Sequence, residues 1–518
     1  MSNSSSDLPE AGEERRARPE IIAVALVAVV VGVVARFVTR SVLWLDEALS
    51  VDIARLPIGD IAAALKRDGH PPLYYVLLHG WIEVAGSGDV AVRALSGVIG
   101  VATMVLVWFL GRRRGGPTLA WILVGVVAVS PFAVRYSDEA RMYALVMFLT
   151  VVGWFLLDDI IVRDRATTLR FVGLAVVGAA LLYTHYWSLW LLAAVGLCAL
   201  WGVWRRPEER KRWIGVVIAL VAAGAMFLPW VPTMLYQAAH TGTPWAPPTR
   251  PTSAVSTTLA DYAAGNFGEQ ALITVLLGIA IVLGLFGRGT SDRTIELDVR
   301  TRPQVRREAV VAALAFAIGV LVAFVSRSAY ATRYSAVVFI LVMLVIAAGI
   351  TRFLGRWIRL GAFVVIVGTL SVGALWNITY ERSQMKEIGR ALTASLQPGD
   401  VVVTCPDQLG PSLRRRIPDD VIVTTFPDGG DGYFVDWVDY ADRNAAADPV
   451  AFAARTVAQA GPAHTIWLVW STSYKTLESK CSDLNAAFAA VRPTEMIVIE
   501  DGEGWYEHAS LSRFAAQP

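Results

Sequence analysis

The chain has 518 residues, 55% of them hydrophobic and only 17% charged, where soluble globular proteins carry about 25% charged residues, and its mean hydropathy is +0.51. Apolar runs recur along most of the first 378 residues, and lipid leaves backbone polar groups no partner outside a helix, so an ordinary soluble domain is excluded and a polytopic helical membrane protein is predicted. A formal net charge of +2 gives no ground for a nucleic-acid partner.

Residues 1–20 are polar and charged and read as a disordered cytoplasmic tail. The run from Ile21 is too long for a signal-peptide core and lacks a small-residue cleavage site, so it reads as an uncleaved first span. Eleven spans are expected: 21–41, 89–111, 118–134, 140–161, 169–184, 186–204, 213–236, 270–287, 309–326, 334–350 and 358–377. Basic clusters fall between them at GRRRGG (111–116), Arg163–Arg170, RRPEERKR (205–212), Arg288–Arg307 and TRFLGR (351–356). With the tail and these five loops inside, the topology obeys the positive-inside rule and the C-terminus lies outside. The segment HPPLYYVLLHGWIEVAG (70–86) is apolar, but counting it as a span would put every later basic cluster outside. It is read instead as part of a long outer loop, 42–88, whose helices lie at or dip into the interface.

After Tyr380 the composition turns mixed and polar. GDVVVTCP, DDVIVTTF, HTIWLVWS and EMIVIEDG read as short buried strands, and DPVAFAARTVAQA as an amphipathic helix. The fold class is thus a polytopic all-α membrane bundle of about 11 helices (21–380) with a small α/β extracytoplasmic domain (381–518). Cys198 falls in a span. Cys405 and Cys481 both fall in the outer domain, where a disulfide is chemically permitted and two buried thiols are equally compatible.

Charged residues at membrane depth, or on the wrong side for their sign, are functional suspects. Asp46, Glu47 and His70 lie in the first loop. "RYSDEARMYAL" brings Arg135, Asp138, Glu139, Arg141 and Tyr143, "LLYTHYWSLW" brings His185, and "SRSAYATRYSA" brings Arg327, Arg333 and Tyr334. In this topology all four clusters meet one membrane face. Each has a plainer reading: Asp46 and Glu47 as the cap of an interfacial helix, the arginines as partners for buried charge, the tyrosines and Trp187 as an aromatic belt, and His185 as a hydrogen-bonded histidine at a helix junction. Taken together they suit a reaction. A carboxylate at an apolar boundary can act as a general base, and arginines on the outer side match a phosphate with their forked donors. The combination suggests transfer from a lipid-phosphate donor at the outer leaflet.

The motifs "LWLDEALS", "GHPPLYYVLLHGW", "RYSDEARMYAL", "YTHYW" and "ATRYSAVVFILV", in this order over roughly residues 20–380, resemble the C-type (GT-C) membrane glycosyltransferases, specifically the family 39-like branch with protein O-mannosyltransferases and bacterial aminoarabinose transferases. The resemblance implies a polyprenyl-phosphate-linked sugar donor and inverting transfer to a lipid, glycan or protein hydroxyl outside an inner (plasma) membrane. It implies a catalytic carboxylate at Asp46, with Glu47 second, and a further acidic position at Asp138 or Glu139. Arg333 and Tyr334 match the motif beside the donor phosphate, with Arg141 and Arg327 as helpers, and His70, Tyr143 and His185 are candidate substrate contacts. A divalent metal on Asp46, Glu139 and His70 is compatible with the resemblance. Some relatives carry Glu-Lys where this chain has Gly69-His70. Two other classes stay open: a transporter or flippase of lipid-linked sugars, whose polar sites usually sit at mid-membrane, and a non-catalytic envelope-assembly protein.

Overall fold

The structure, a computed structural model, describes residues 16–242, 248–264, 270–474 and 477–517. Most of the expected N-terminal tail, residues 1–15, lies outside these. Helix α1 (Pro19–Ala35) is followed by three helices of the outer loop, α2 (Leu45–Ala54), α3 (Ile58–Asp68) and α4 (Leu73–Ala85). The bundle continues with α5 (Asp89–Ala128), α6 (Pro131–Ser137), α7 (Tyr143–Ile161), α8 (Thr168–Thr184), α9 (Ser188–Arg205), α10 (Arg210–Phe227) and α11 (Val231–His240). It closes with α12 (Pro251–Tyr262), α13 (Gln270–Phe286), α14 (Arg306–Val325), α15 (Ala336–Thr351) and α16 (Arg356–Thr379).

Among the described residues seven helices are long and apolar enough to cross a membrane, and α1, α8 and α13 are shorter apolar helices. The eleven expected segments overlap these elements, although α1 ends at Ala35, short of the expected end at 41, and 118–134 runs on into α6. The 40-residue α5 carries two of them, because non-helical Gly115 and Gly116 ahead of Pro117 break it into two arms. The basic segment 288–307 also holds a small hairpin, β1 (Gly287–Gly289) with β2 (Ile295–Leu297), that hydropathy does not signal.

The helices are patterned for lipid. On α1 the small residues Ala25, Ala28, Gly32 and Ala35 are buried, while Leu26, Val27, Val30 and Val34 are exposed. Interfaces between helices use small residues because lipid supplies no hydrophobic drive for association. Where α13 meets α15, a Cβ on Gly349 would stand 1.9 Å from the Ala280 carbonyl oxygen, and one on Gly284 would stand 2.2 Å from that of Val345.

At one end of the bundle Arg114 pairs with Asp158 at 2.8 Å and with Glu308 at 2.5 Å, and Arg113 with Asp159 at 3.1 Å. Arg93 near the start of α5 lies about 30 Å away at 1.5 Å per residue, roughly the thickness of a bilayer core. The two charged clusters therefore occupy opposite ends, and the candidate residues gather at the Arg93 end.

The C-terminal domain contains α17 (Met385–Ser395), β3 (Val401–Cys405), α18 (Gly410–Arg414), β4 (Ile422–Thr425), α19 (Tyr440–Ala446), α20 (Pro449–Ala460), β5 (Ile466–Trp470), α21 (Lys480–Ala489), β6 (Thr494–Val498) and β7 (Ser510–Phe514). The sheet order is β4-β3-β5-β7-β6, with β3 parallel to β4 and β5, and β7 antiparallel to β5 and β6. The four expected strands and the expected helix (α20) are present, but β6, expected to be buried, is an edge strand exposed along most of its length. Strand β7 escapes hydropathy because Ser510 and Ser512 are buried in it, and their hydroxyls take hydrogen bonds from Glu500 N–H at 3.0 Å and Trp470 Nε1 at 2.9 Å. Cys405 and Cys481 are joined in a disulfide, Cα–Cα 5.5 Å, which resolves the alternative left open by the sequence. The domain docks on the bundle through Arg415 and Arg416, both paired with Asp89 at the start of α5.

Candidate active site

The chain turns at Trp44 into α2, so Asp46 and Glu47 fall in the first turn, where the helix dipole favours carboxylates. Neither caps the helix. Its first amide, Leu45 N–H, donates instead to Glu507 Oε1 of the C-terminal domain at 3.0 Å. Neighbours on a helix point about 100° apart, and the two carboxylates meet different surroundings.

Asp46 lines a cavity of about 350 Å³ between the outer-loop helices, the start of α15 and the C-terminal domain. Its Oδ2 lies 3.7 Å from Arg141 and 3.6 Å from Arg333. Arg141, only 3% exposed, is held firmly: it donates to the Asp46 carbonyl at 3.3 Å, to Ser50 Oγ at 2.9 Å and to His70 Nε2 at 3.0 Å. With Nε2 accepting, the His70 ring proton is assigned to Nδ1 and points at Asp68 Oδ2, 2.8 Å away. Gln237 of α11 braces this corner by donating to the Leu65 carbonyl at 2.8 Å. Arg333 and Tyr334 come from a 3₁₀ turn, Thr332–Ser335, ahead of α15.

Asp46, His70, Arg141, Arg333 and Tyr334 thus share one cavity. His185 and Tyr143 stand behind it as buried aromatic backing. The His185 ring lies 5.3 Å from Tyr334 and 5.7 Å from Tyr143, and its Nδ1 accepts from Trp187 N–H. Arg327 is exposed past the end of α14 and does not line the cavity.

Glu47, Asp138 and Glu139 are turned away from the cavity into a buried ionic knot. Glu47, fully buried, binds Arg93 through both oxygens at 2.7 and 2.5 Å and accepts from Ala140 N–H at 3.0 Å. Arg382, the first cation after the last apolar helix, binds Asp138 at 2.6 Å and Glu139 at 3.3 Å. The knot ties the start of α2 to α5 and to the α6–α7 turn. Removing one member leaves a buried charge uncompensated, which costs about 3–5 kcal/mol. Glu47→Gln should therefore lower the thermal unfolding midpoint of the detergent-solubilised protein clearly, and Asp46→Asn hardly at all. Equal midpoints for the two variants would contradict this division of roles.

The metal set expected from the resemblance is not assembled. Glu139 is engaged by Arg135 and Arg382, and both His70 nitrogens are engaged by Asp68 and Arg141. Among the described residues no three His, Cys, Asp or Glu groups converge for a metal ion. No step below is routed through one.

Several residues of the site went unnoticed in the sequence. Asp68, two residues before His70, had a usable signal in its spacing, and Arg93 had one as a lone cation opening an apolar run. Gln408, Tyr474 and Glu507 had none, because they reach the cavity from the outer domain. Burial pushes the Glu507 carboxyl up to about 7, against hydrogen bonds from Ser383, Ser412 and Leu45.

A family profile described as dolichyl-phosphate-mannose-protein mannosyltransferase matches residues 69–231. No curated protein matches the chain in sequence. Among solved structures, ArnT from Cupriavidus metallidurans in the apo state is similar at 13% identity, over 95% of this chain and 97% of that one, with a TM-score of 0.60. The same protein bound to undecaprenyl phosphate gives 12% identity, the same coverage and 0.55. The oligosaccharyltransferase AglB from Archaeoglobus fulgidus, in complex with an inhibitory peptide and a dolichol-phosphate, gives 10% identity over 92% of this chain and 72% of that one, with 0.51. At these identities the likeness is one of fold: the chain has the fold of ArnT, a mostly helical bundle with a small C-terminal sheet domain.

Proposed function

We propose that this integral membrane protein transfers a sugar from a polyprenyl-phosphate donor to an acceptor hydroxyl on the extracytoplasmic side, with inversion and with Asp46 as general base. The observation that carries the reading is the Asp46 carboxylate held between Arg141 and Arg333 in one cavity at the end of the bundle. The ArnT fold, seen elsewhere with undecaprenyl phosphate bound, supports it. In this reading the N-terminus is cytoplasmic and the C-terminal domain faces out.

The contacts from Asp46 to the two arginines, 3.6 and 3.7 Å, are looser than the ~2.7–2.9 Å of a charge-assisted hydrogen bond. An incoming phosphate competes for the guanidinium donors and leaves the carboxylate free to accept a proton. The acceptor oxygen then attacks the anomeric carbon opposite the phosphate. Its proton passes to Asp46, the bond from the anomeric carbon to the phosphate oxygen breaks, and polyprenyl phosphate leaves with the electron pair. Arginines positioned before the reaction stabilise that charge, usually the largest single contribution in such sites.

The deciding experiment is mass spectrometry of envelope lipids and glycans after deletion and complementation of the gene. The expected result is loss of one sugar modification with accumulation of its polyprenyl-phosphate sugar, both reversed by the parental chain. An unchanged profile, or accumulation of the donor on the inner leaflet only, would contradict transfer and favour transport.

A further inference from the structure

Helix α2 carries Asp46 yet has no cap from its own segment: Trp44 stands at the N-cap position and makes no side-chain cap bond. The cap is supplied by a residue 462 positions away. Glu507, 3% exposed, accepts at Oε1 both from Leu45 N–H at 3.0 Å and from Ser412 Oγ at 2.9 Å. Its neighbour Tyr506 meets the Trp44 ring edge-on, with centroids 5.3 Å apart. Two successive residues of the outer domain thus seat two successive residues at the start of α2.

The Glu507 backbone is itself anchored. Its N–H donates to the Arg382 carbonyl at 2.8 Å and its carbonyl accepts from Gln384 N–H at 2.9 Å. Arg382 N–H donates to Ser41 Oγ at 2.8 Å, on the segment leading into α2. The carboxylate that meets Leu45 is therefore fixed to the same frame as the ionic knot under Asp46. Simple docking of the domain does not require it, because Asp89 with Arg415 and Arg416 joins the two parts elsewhere.

We propose that Glu507 is a positioning residue for Asp46: by capping α2 it sets the first turn of the helix and so aims the Asp46 carboxylate into the cavity. The outer domain then completes the catalytic centre. This rests on the transfer reaction proposed above.

The test uses the full-length chain in detergent, with two readouts: transfer kinetics from a synthetic polyprenyl-phosphate sugar, and amide hydrogen exchange over residues 43–49. Glu507→Ala removes the acceptor and should lower kcat by about tenfold or more, with donor affinity within about twofold and faster exchange at the start of α2. Glu507→Asp, one methylene shorter but equally charged, should behave like Ala and serves if the Ala variant does not fold. Glu507→Gln keeps Oε1 as an acceptor and should retain kcat within about threefold. Ser412→Ala removes the other bond to the same oxygen, leaves Leu45 capped and should also retain kcat. Parental kcat or parental exchange in the Ala and Asp variants would overturn the proposal. So would a loss in Ser412→Ala equal to that in Glu507→Ala, which would mark a role in domain docking alone. If the parental chain transfers nothing, the transfer reaction fails, and the exchange data still decide the positioning.

Discussion

Asp46→Asn should lower turnover by about 10²–10⁴-fold, the range typical of a lost general base, and leave donor affinity within about twofold. Asparagine keeps the size of the side chain and an oxygen for Arg141 and Arg333, but its amide does not accept a proton at neutral pH. The attacking hydroxyl would then keep its proton into the transition state. Because Asp46 is not part of the buried knot, the loss should appear with an unchanged unfolding midpoint. Single-turnover transfer measured beside equilibrium donor binding separates the two effects. Parental transfer by the Asn variant would sink the base assignment.

The second large effect is expected at Arg333. A hydrogen bond to a charged group contributes about 1.5–3 kcal/mol, and each 1.4 kcal/mol is tenfold in affinity. Arg333→Ala should therefore weaken donor binding by roughly 10–100-fold. Arg333→Lys should recover only part, since a lysine supplies the charge without the planar fork. The parental affinity should also fall with added salt more steeply than that of the Ala variant, because the half-buried guanidinium is a charge that the phosphate would meet at the solvent-open cavity. Unchanged affinity in Arg333→Ala would remove the phosphate role. The contrast with Arg141 is instructive. That side chain is anchored by Ser50, His70 and the Asp46 carbonyl, so its replacement would disturb the shape of the cavity together with its charge.

Much of this could be read from the sequence because membrane physics is strict. Apolar runs must become helices, and basic loops orient them, so the parity of Arg-rich segments placed Asp46, His70, Arg141 and Arg333 at one face before any coordinates. The residues alone do not divide the labour between Asp46 and Glu47, since both are acidic, adjacent and in one first turn; only the family resemblance ranked Asp46 first. In the structure the position of Arg93, 46 residues on, separates them. Asp138 and Glu139 were hidden in the same way by Arg382. Arg327, expected as a helper to Arg333, lies outside the cavity, and only Arg333 falls in the 3₁₀ turn beside it. Strand β7 was missed because its buried serines find their hydrogen-bond partners in Glu500 and Trp470, a tertiary property with no local signature. The contribution of Glu507 was invisible for a related reason: a helix cap taken from another domain leaves no mark at the helix itself.

That distant cap also bears on how the protein is made. Leu45 and Glu507 are 462 residues apart, and ribosomes add about 5–20 residues per second, so about 25–90 s separate their synthesis. Throughout that interval the membrane bundle can insert and close while the helix bearing Asp46 still lacks its partner. Arg382, which neutralises Asp138 and Glu139, also arrives only after the last apolar helix. A nascent chain therefore reaches the membrane with the first turn of α2 uncapped, and acquires that cap only when the end of the outer domain has been made.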